Sequence, residues 1–257
     1  MDSQLKEKTQ IILNPTLSEN KDTIITFFKC AGEKCTATIE NERVLYYPHL
    51  EKALCDKCYK KEETIQNLLL RRHYPEKFLN FSGLGKDRFK SFENFQGYDK
   101  FKKRIIDIID DNSMFNLLFW GNVGNGKSHI AKAILRKLIQ KGCGEFDIYF
   151  TLAADFLMRI RDTYNNRGVK ELEIFEYYCE KKYLVLDELG SDKISDWSPG
   201  IFTYIIEKRL NQKKSTIITT NLNLKEIEEK FDERLASRLS LYTQIKFEMP
   251  DYRKRRK

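Results

Sequence analysis

The segment Gly121-Asn122-Val123-Gly124-Asn125-Gly126-Lys127-Ser128 constrains this chain more than any other stretch. It fits G-x-x-x-x-G-K-[ST], where glycines let successive backbone N–H groups converge on phosphate oxygens. Its setting matches the pattern. Residues 115–120 (FNLLFW) form a short apolar run of the kind found in buried parallel strands. Residues 128–141 then place Ile130, Ile134, Leu135, Leu138 and Ile139 on one helical face. A helix starting at such a loop points its positive end at the phosphates. The loop residues and the adjoining His129 are therefore candidate nucleotide contacts, with Lys127 at the outer phosphates and Ser128 as a Mg²⁺ ligand. A glycine turn that meets Lys-Ser by chance is the alternative.

The rest of this region alternates strand and helix. Strands are expected at 147–151, 183–186, 215–220 and 242–248, and helices at 155–164, 169–182, 199–212 and 224–239. That order implies βαβ units and an α/β fold, a parallel sheet between helices, with ligands at the carboxyl ends of the strands. The run YLVLDE at 183–188 ends there in two carboxylates. Asp187 suits Mg²⁺ and Glu188 the activation of water, which points to hydrolysis of a nucleoside triphosphate rather than transfer to another acceptor. Asn221, after STIITT at 215–220, is a third polar group at this edge and could orient the water. Two solvated acids and a turn-opening Asn are the plainer readings.

Four cysteines lie within 29 residues near the start: Cys30-x₄-Cys35 and Cys55-x₂-Cys58. Two chelating pairs suit a tetrahedral Cys₄ zinc site, which would stabilise a small N-terminal module with little core. Buried thiols and a Cys55–Cys58 redox pair remain as alternatives, and His49 could replace one ligand. Residues 60–74 read as a helix with an apolar stripe at Ile65, Leu68 and Leu69, expected to pack on that module. The divisions are 1–75 for the zinc module, 76–98 for a linker that packs on the larger domain, and 99–257 for the nucleotide-binding domain. A chain that is 41% hydrophobic excludes wholly disordered and collagen-like classes. No apolar run is long enough to span a membrane, and the first residues lack a signal-peptide pattern, so a soluble, cytoplasmic protein is expected.

The formal charge of +8 is uneven. Residues 1–75 hold 12 basic and 11 acidic side chains, whereas 251–257 hold five basic and one acidic. The excess thus sits on the nucleotide-binding domain and its tail, which makes these, rather than the cysteine module, the expected nucleic-acid contact. Single-strand binding pairs basic groups with aromatic platforms; Tyr164 with Arg159, Arg161 and Arg167, and Trp197 with Lys193, are the candidates.

Several segments together resemble AAA+ ATPases, specifically the DnaC/DnaI-type loaders of replicative helicases and the related IstB-type transposition helpers. They are SFENF (91–95), GNVGNGKSHIAKAI (121–134), YLVLDELG (183–190), TTNL (219–222), ERLASRL (233–239) and DYR (251–253). The resemblance implies ATP and Mg²⁺, an N-terminal module that contacts a replicative helicase, and single-stranded DNA in the channel of a homo-oligomer. It also implies that Arg238 is an arginine finger acting on the neighbour's ATP, with Arg234 as competitor, and that Arg253 is the sensor-2 arginine. Phe92, Asn94 and Phe95 would lie near the adenine, with packing of the two aromatics in the core as the alternative. Only 19 residues follow Arg238, too few for a separate helical lid, as in loaders of this kind. A transposition helper is the second reading, and a zinc-based nucleic-acid binder on an idle scaffold the third.

Overall fold

The computed structural model describes residues 44–47, 52–95, 99–111, 114–165, 171–191 and 197–252, and the chain divides into two compact units, Met1–Leu69 and Leu70–Lys257. In the first unit β1 (Val44–Tyr47) and β2 (Lys52–Cys55) pair antiparallel, with Tyr47 opposite Lys52. Helix α1 (Asp56–His73) follows directly and runs across the division. Its expected apolar stripe, Ile65, Leu68 and Leu69, is 43–49% exposed, and most of the module it was expected to pack on lies outside the described residues.

The second unit is a parallel sheet between two helical layers. Its elements are α2 (Asp99–Asp111), β3 (Asn116–Gly121), α3 (Lys127–Gln140), β4 (Ile148–Leu152), α4 (Ala153–Asn165), α5 (Glu171–Glu180), β5 (Tyr183–Leu189), α6 (Ser198–Asn211), β6 (Ser215–Thr220), α7 (Leu224–Lys230), α8 (Glu233–Leu239) and β7 (Thr243–Phe247). The strand order is β4-β5-β6-β3-β7. Strand β6 therefore separates the strand leading into the phosphate loop from the strand ending in Asp187 and Glu188. Alternation along the strands supplies both faces. Leu117, Phe119, Val185, Ile217 and Ile245 join α2 and α3 in one core, while Leu118, Leu184, Leu186 and Ile218 join α4, α5, α6 and α8 in the other.

Residues 70–95 belong to the larger unit. Leu79, Leu84, Phe92 and Phe95 are buried in the first core, and the Ser82 carbonyl accepts from Phe150 N (2.7 Å), which covers the β4 edge. One polar group sits deep in the second layer. The Arg209 guanidinium is fully buried and donates to the carbonyls of Tyr178 (2.7 Å), Lys181 (2.8 Å) and Ser215 (2.5 Å) and to Thr216 Oγ1 (2.9 Å). It closes the carboxyl end of α5 onto the start of β6, satisfying carbonyls that the helix itself leaves open. Burial pulls its pKa down to about 10, so it stays charged at neutral pH.

The single helix expected over 224–239 is two. Asp232 takes an extended conformation and accepts from Leu235 N (2.7 Å), so its side chain starts a new helix where the first one stops. Asn223 and Glu226 form a reciprocal capping box at the start of α7. Helix α2 has no counterpart among the expected elements, although Ile105 and Ile109 have the i, i+4 spacing and both are buried.

Candidate functional site

The phosphate loop turns on glycines in positive φ. Gly124 has φ +77° and Gly126 φ +95°, conformations that cost an L side chain about 1–2 kcal/mol. Space is as limiting as conformation. A Cβ on Gly126 would lie 2.4 Å from the Phe95 ring, and one on Gly124 would overlap the Asp251 carboxylate. The loop is thus gripped from 91–95 on one side and from the 251–252 segment on the other. Tyr252 N donates to the Gly124 carbonyl (3.0 Å). Asn125 is fully buried and pins the loop to β7, donating from Nδ2 to the Phe247 carbonyl (2.7 Å).

Lys127 heads α3 and bends back over the loop. Its Nζ donates to the carbonyls of Gly121 and Asn122 (both 2.7 Å), to Asn221 Oδ1 (2.9 Å) and, longer, to Asn125 Oδ1 (3.2 Å). These are more acceptors than an ammonium has protons, so a phosphate oxygen can replace one without stranding the charge. Asn221 reaches Lys127 because β6 lies between β3 and β5.

Thr219 Oγ1 donates to Asp187 Oδ1 (2.5 Å), and the Ser128 hydroxyl is near enough to stabilise the same carboxylate. Burial raises the Asp187 pKa above its ordinary 3.8, and the Thr219 and Ser128 hydroxyls oppose that shift. A buried carboxylate whose charge water does not compensate is a favourable partner for a cation. Glu188 is exposed at the adjoining wall, in a left-handed conformation with φ +61°. The pairing of β5 with β6 slips at this point: Leu186 faces Ile218 and Leu189 faces Thr220. Asp187 and Glu188 thus both stand opposite Thr219.

Lys127, Ser128, Glu188, Thr219 and Asn221 line a cavity of about 740 Å³, together with Asp87, Lys90, Asn94, Lys132 and Tyr252, while Asp187 is buried beneath Thr219 rather than on the wall. His129 lies between the cavity and 91–95. Its Nε2 is 2.8 Å from the Ser91 carbonyl oxygen, so the proton sits on Nε2, and burial lowers the ring's pKa. Phe95 packs with His129 (5.2 Å) and Tyr252 (6.1 Å) between ring centroids. Thr219, Tyr252 and the Lys132–Asp87 pair (2.6 Å) escaped the sequence reading; the TTNL and DYR segments contain two of them, but nothing local distinguishes the residue that matters. The glycine loop, Lys127 and Ser128 present the donors and acceptors that a magnesium nucleotide needs, in a space able to hold one, with the Asp187 carboxylate beneath them.

Arg238 does not line this cavity. It is exposed on α8, and its Nε donates to Glu207 Oε1 on α6 (2.6 Å). Arg234 is exposed on the same helix. Arg253 lies outside the described residues, as do Lys193, Arg167, His49, Cys30 and Cys35. Cys55 ends β2, and Cys58 lies in the first turn of α1. Among the described residues no group of His, Cys, Asp and Glu is arranged to hold a metal ion. Arg161 and Trp197, expected in separate sets, meet each other, the guanidinium 5.4 Å from the ring centroid. Arg161 also lines a second cavity of about 270 Å³, with Leu157, Met158, Phe202 and Phe231, and Glu188 is in its wall as well. No described helix is long and apolar enough to cross a membrane.

Comparison with known proteins places this geometry. The family model "IstB-like ATP binding protein" matches residues 91–241. The "Replicative helicase loader DnaC" of Escherichia coli (strain K12) is 29% identical over 131 residues, 51% of this chain and 52% of that protein. The chain thus spans about half the length of the first curated relatives it matches. DnaC of Buchnera aphidicola subsp. Baizongia pistaciae is 27% identical over 174 residues, 64% of this chain and 70% of that protein. Among solved structures, the DnaC helicase loader superposes with a TM-score of 0.55 at 26% identity, covering 63% of this chain and 99% of that one. AMPPCP-bound DnaA from Aquifex aeolicus, at 18% identity and TM-score 0.53, covers 64% and 52% and shares the fold. The architecture is the α/β AAA+ P-loop fold.

Proposed function

Because the chain belongs to the IstB-like ATP-binding protein family, we propose that it is an ATP-dependent loader that delivers a replicative hexameric DNA helicase to single-stranded DNA during replication initiation. The observation that carries this reading is the convergence of Lys127, Ser128, Glu188 and Asn221 on one cavity, with Lys127 bonded to Asn221, on a chain similar to DnaC loaders.

Lys127, the loop amides and the start of α3 hold the triphosphate; Ser128 and Asp187 hold Mg²⁺, which neutralises phosphate charge. Glu188 takes a proton from a water that attacks the γ-phosphorus, the bond to the bridging oxygen breaks, and ADP and phosphate leave. Asn221 orients that water or the γ-phosphate. Arg238, absent from its own cavity, acts on the ATP of a neighbouring copy, and Arg253 on the ATP of its own. This requires a homo-oligomer, with its subunits' Arg161 and Trp197 beside the DNA; an arginine and an indole together supply charge and a stacking face. In this reading residues 1–75 contact the helicase, 76–98 link, and 99–257 form the ATPase. Cys30, Cys35, Cys55 and Cys58 bind structural zinc; the placement of Cys55 at a strand end and Cys58 in the next helical turn supports two ligands on one knuckle.

The test is co-purification of the full chain with a replicative helicase, with and without ATP, followed by transfer of the helicase to single-stranded DNA. ATP-dependent deposition supports the reading. The family's name favours one competitor, a transposition helper; capture of a transposase together with double-stranded DNA binding selects it. Less than one zinc per chain by elemental analysis removes the Cys₄ assignment.

A further inference from the structure

Thr219 occupies a position that the proposed chemistry has not used. It is fully buried in the middle strand of the sheet, between the phosphate-loop strand and the acidic strand. Its hydroxyl is engaged twice, donating to Asp187 Oδ1 (2.5 Å) and accepting from Glu188 N (2.9 Å). The slip in β5–β6 pairing explains the arrangement. Where two residues oppose one, the regular ladder is interrupted, and a side-chain hydroxyl takes over the bonding. The single proton of Thr219 goes to Asp187, so its lone pair is left for Glu188. One group therefore sets both the rotamer of Asp187 and the left-handed backbone from which Glu188 projects.

We infer that Thr219 is a positioning residue for ATP hydrolysis: it fixes Asp187 for Mg²⁺ and Glu188 for water through one hydroxyl. This deepens, and rests on, the reading of the cavity as an ATPase site. A purely structural role would be served by any side chain that fills the space. A positioning role needs the hydroxyl.

Thr219→Val keeps the volume and removes the oxygen, while Thr219→Ser keeps the oxygen. In the full chain, Mg²⁺ titrations of ATP turnover and of binding of a fluorescent ATP analogue should separate the two. Groups that orient a metal ligand are worth about 10–100-fold in affinity or activity. Thr219→Val should lower kcat about tenfold or more and raise the Mg²⁺ concentration for half-saturation by a similar factor, with Mg²⁺-free nucleotide affinity held. Thr219→Ser should return both to near wild type. Wild-type kcat and Mg²⁺ response in Thr219→Val, or equal losses in Val and Ser, would overturn the inference. If Thr219→Val does not fold, Thr219→Ala takes its place with the same criteria. A wild-type chain that binds but never hydrolyses ATP would defeat the ATPase reading instead, and the Mg²⁺ dependence of nucleotide binding would still decide the role of Thr219.

Discussion

Replacing Gly124 by alanine tests the phosphate loop at its most confined point. Alanine at φ +77° costs about 1–2 kcal/mol in conformation alone. The new Cβ would overlap the Asp251 carboxylate, so that side chain must turn away, while the bond from Tyr252 N to the Gly124 carbonyl can stay. The empty loop can relieve much of this by moving. The nucleotide-bound loop has no such freedom, since its amides must converge on the phosphates. The conformational penalty of about 1–2 kcal/mol thus falls on binding, an affinity loss of about 5- to 30-fold. The control is Gly200→Ala in α6, where an added Cβ meets nothing within 4 Å. It should leave affinity unchanged and shift stability by less than about 1 kcal/mol, in the stabilising direction. Titration with a fluorescent ATP analogue, beside urea unfolding of both variants, makes the comparison. Affinity of Gly124→Ala within threefold of wild type would refute the argument.

Three further outcomes follow from the same geometry. Arg209→Met strands the buried carbonyls at the end of α5 and should cost about 2–4 kcal/mol in urea unfolding, since a buried carbonyl left without a donor costs about 1–3 kcal/mol; a change below 1 kcal/mol would contradict the role given to that side chain. Asp187→Asn should lose MgATP affinity about tenfold or more while unfolding at the same or a higher temperature near pH 7. The sign follows from the raised pKa: the folded state binds the proton more readily than the unfolded one, so ionisation penalises folding as pH rises from about 3.8 through the folded value, and the amide removes that penalty. The advantage of the amide should vanish at lower pH, and a large loss of stability at pH 7 would contradict the assignment. Third, mixing Arg238→Ala with Lys127→Ala chains, each inactive alone, should restore part of the turnover if Arg238 acts across subunits; no recovery in a mixed oligomer contradicts action in trans.

Legibility in the sequence tracked how local the determining physics is. The glycine loop between an apolar run and an amphipathic helix was readable because its whole grammar lies within adjoining residues, and the α/β class followed from the alternation of periods. The break at Asp232 was readable in principle, since Asp before Glu233 is a helix-start signal, but the apolar spacing on either side concealed it. What could not be read depends on strand order. Asn125 meets a carbonyl 122 residues away on β7. Thr219 acquires its role only because β6 inserts between β3 and β5, and the sequence does not encode that order locally. The left-handed backbone at Glu188 was hidden for the same reason, since it follows from the register of β5 against β6. The zinc reading was legible as cysteine spacing, whereas the placement of Cys55 at a strand end and Cys58 in the next helical turn was not, and Cys30 and Cys35 lie outside the described residues.

The central claim is that this cavity hydrolyses ATP through Glu188, and steady-state phosphate release by Glu188→Gln addresses it most directly. The substitution keeps size and polarity at an exposed position and removes only the base, so nucleotide affinity should stay within about threefold of wild type, while turnover falls by about 10²–10⁴, the range expected for loss of a general base. Turnover equal to wild type, with affinity intact, would contradict the account.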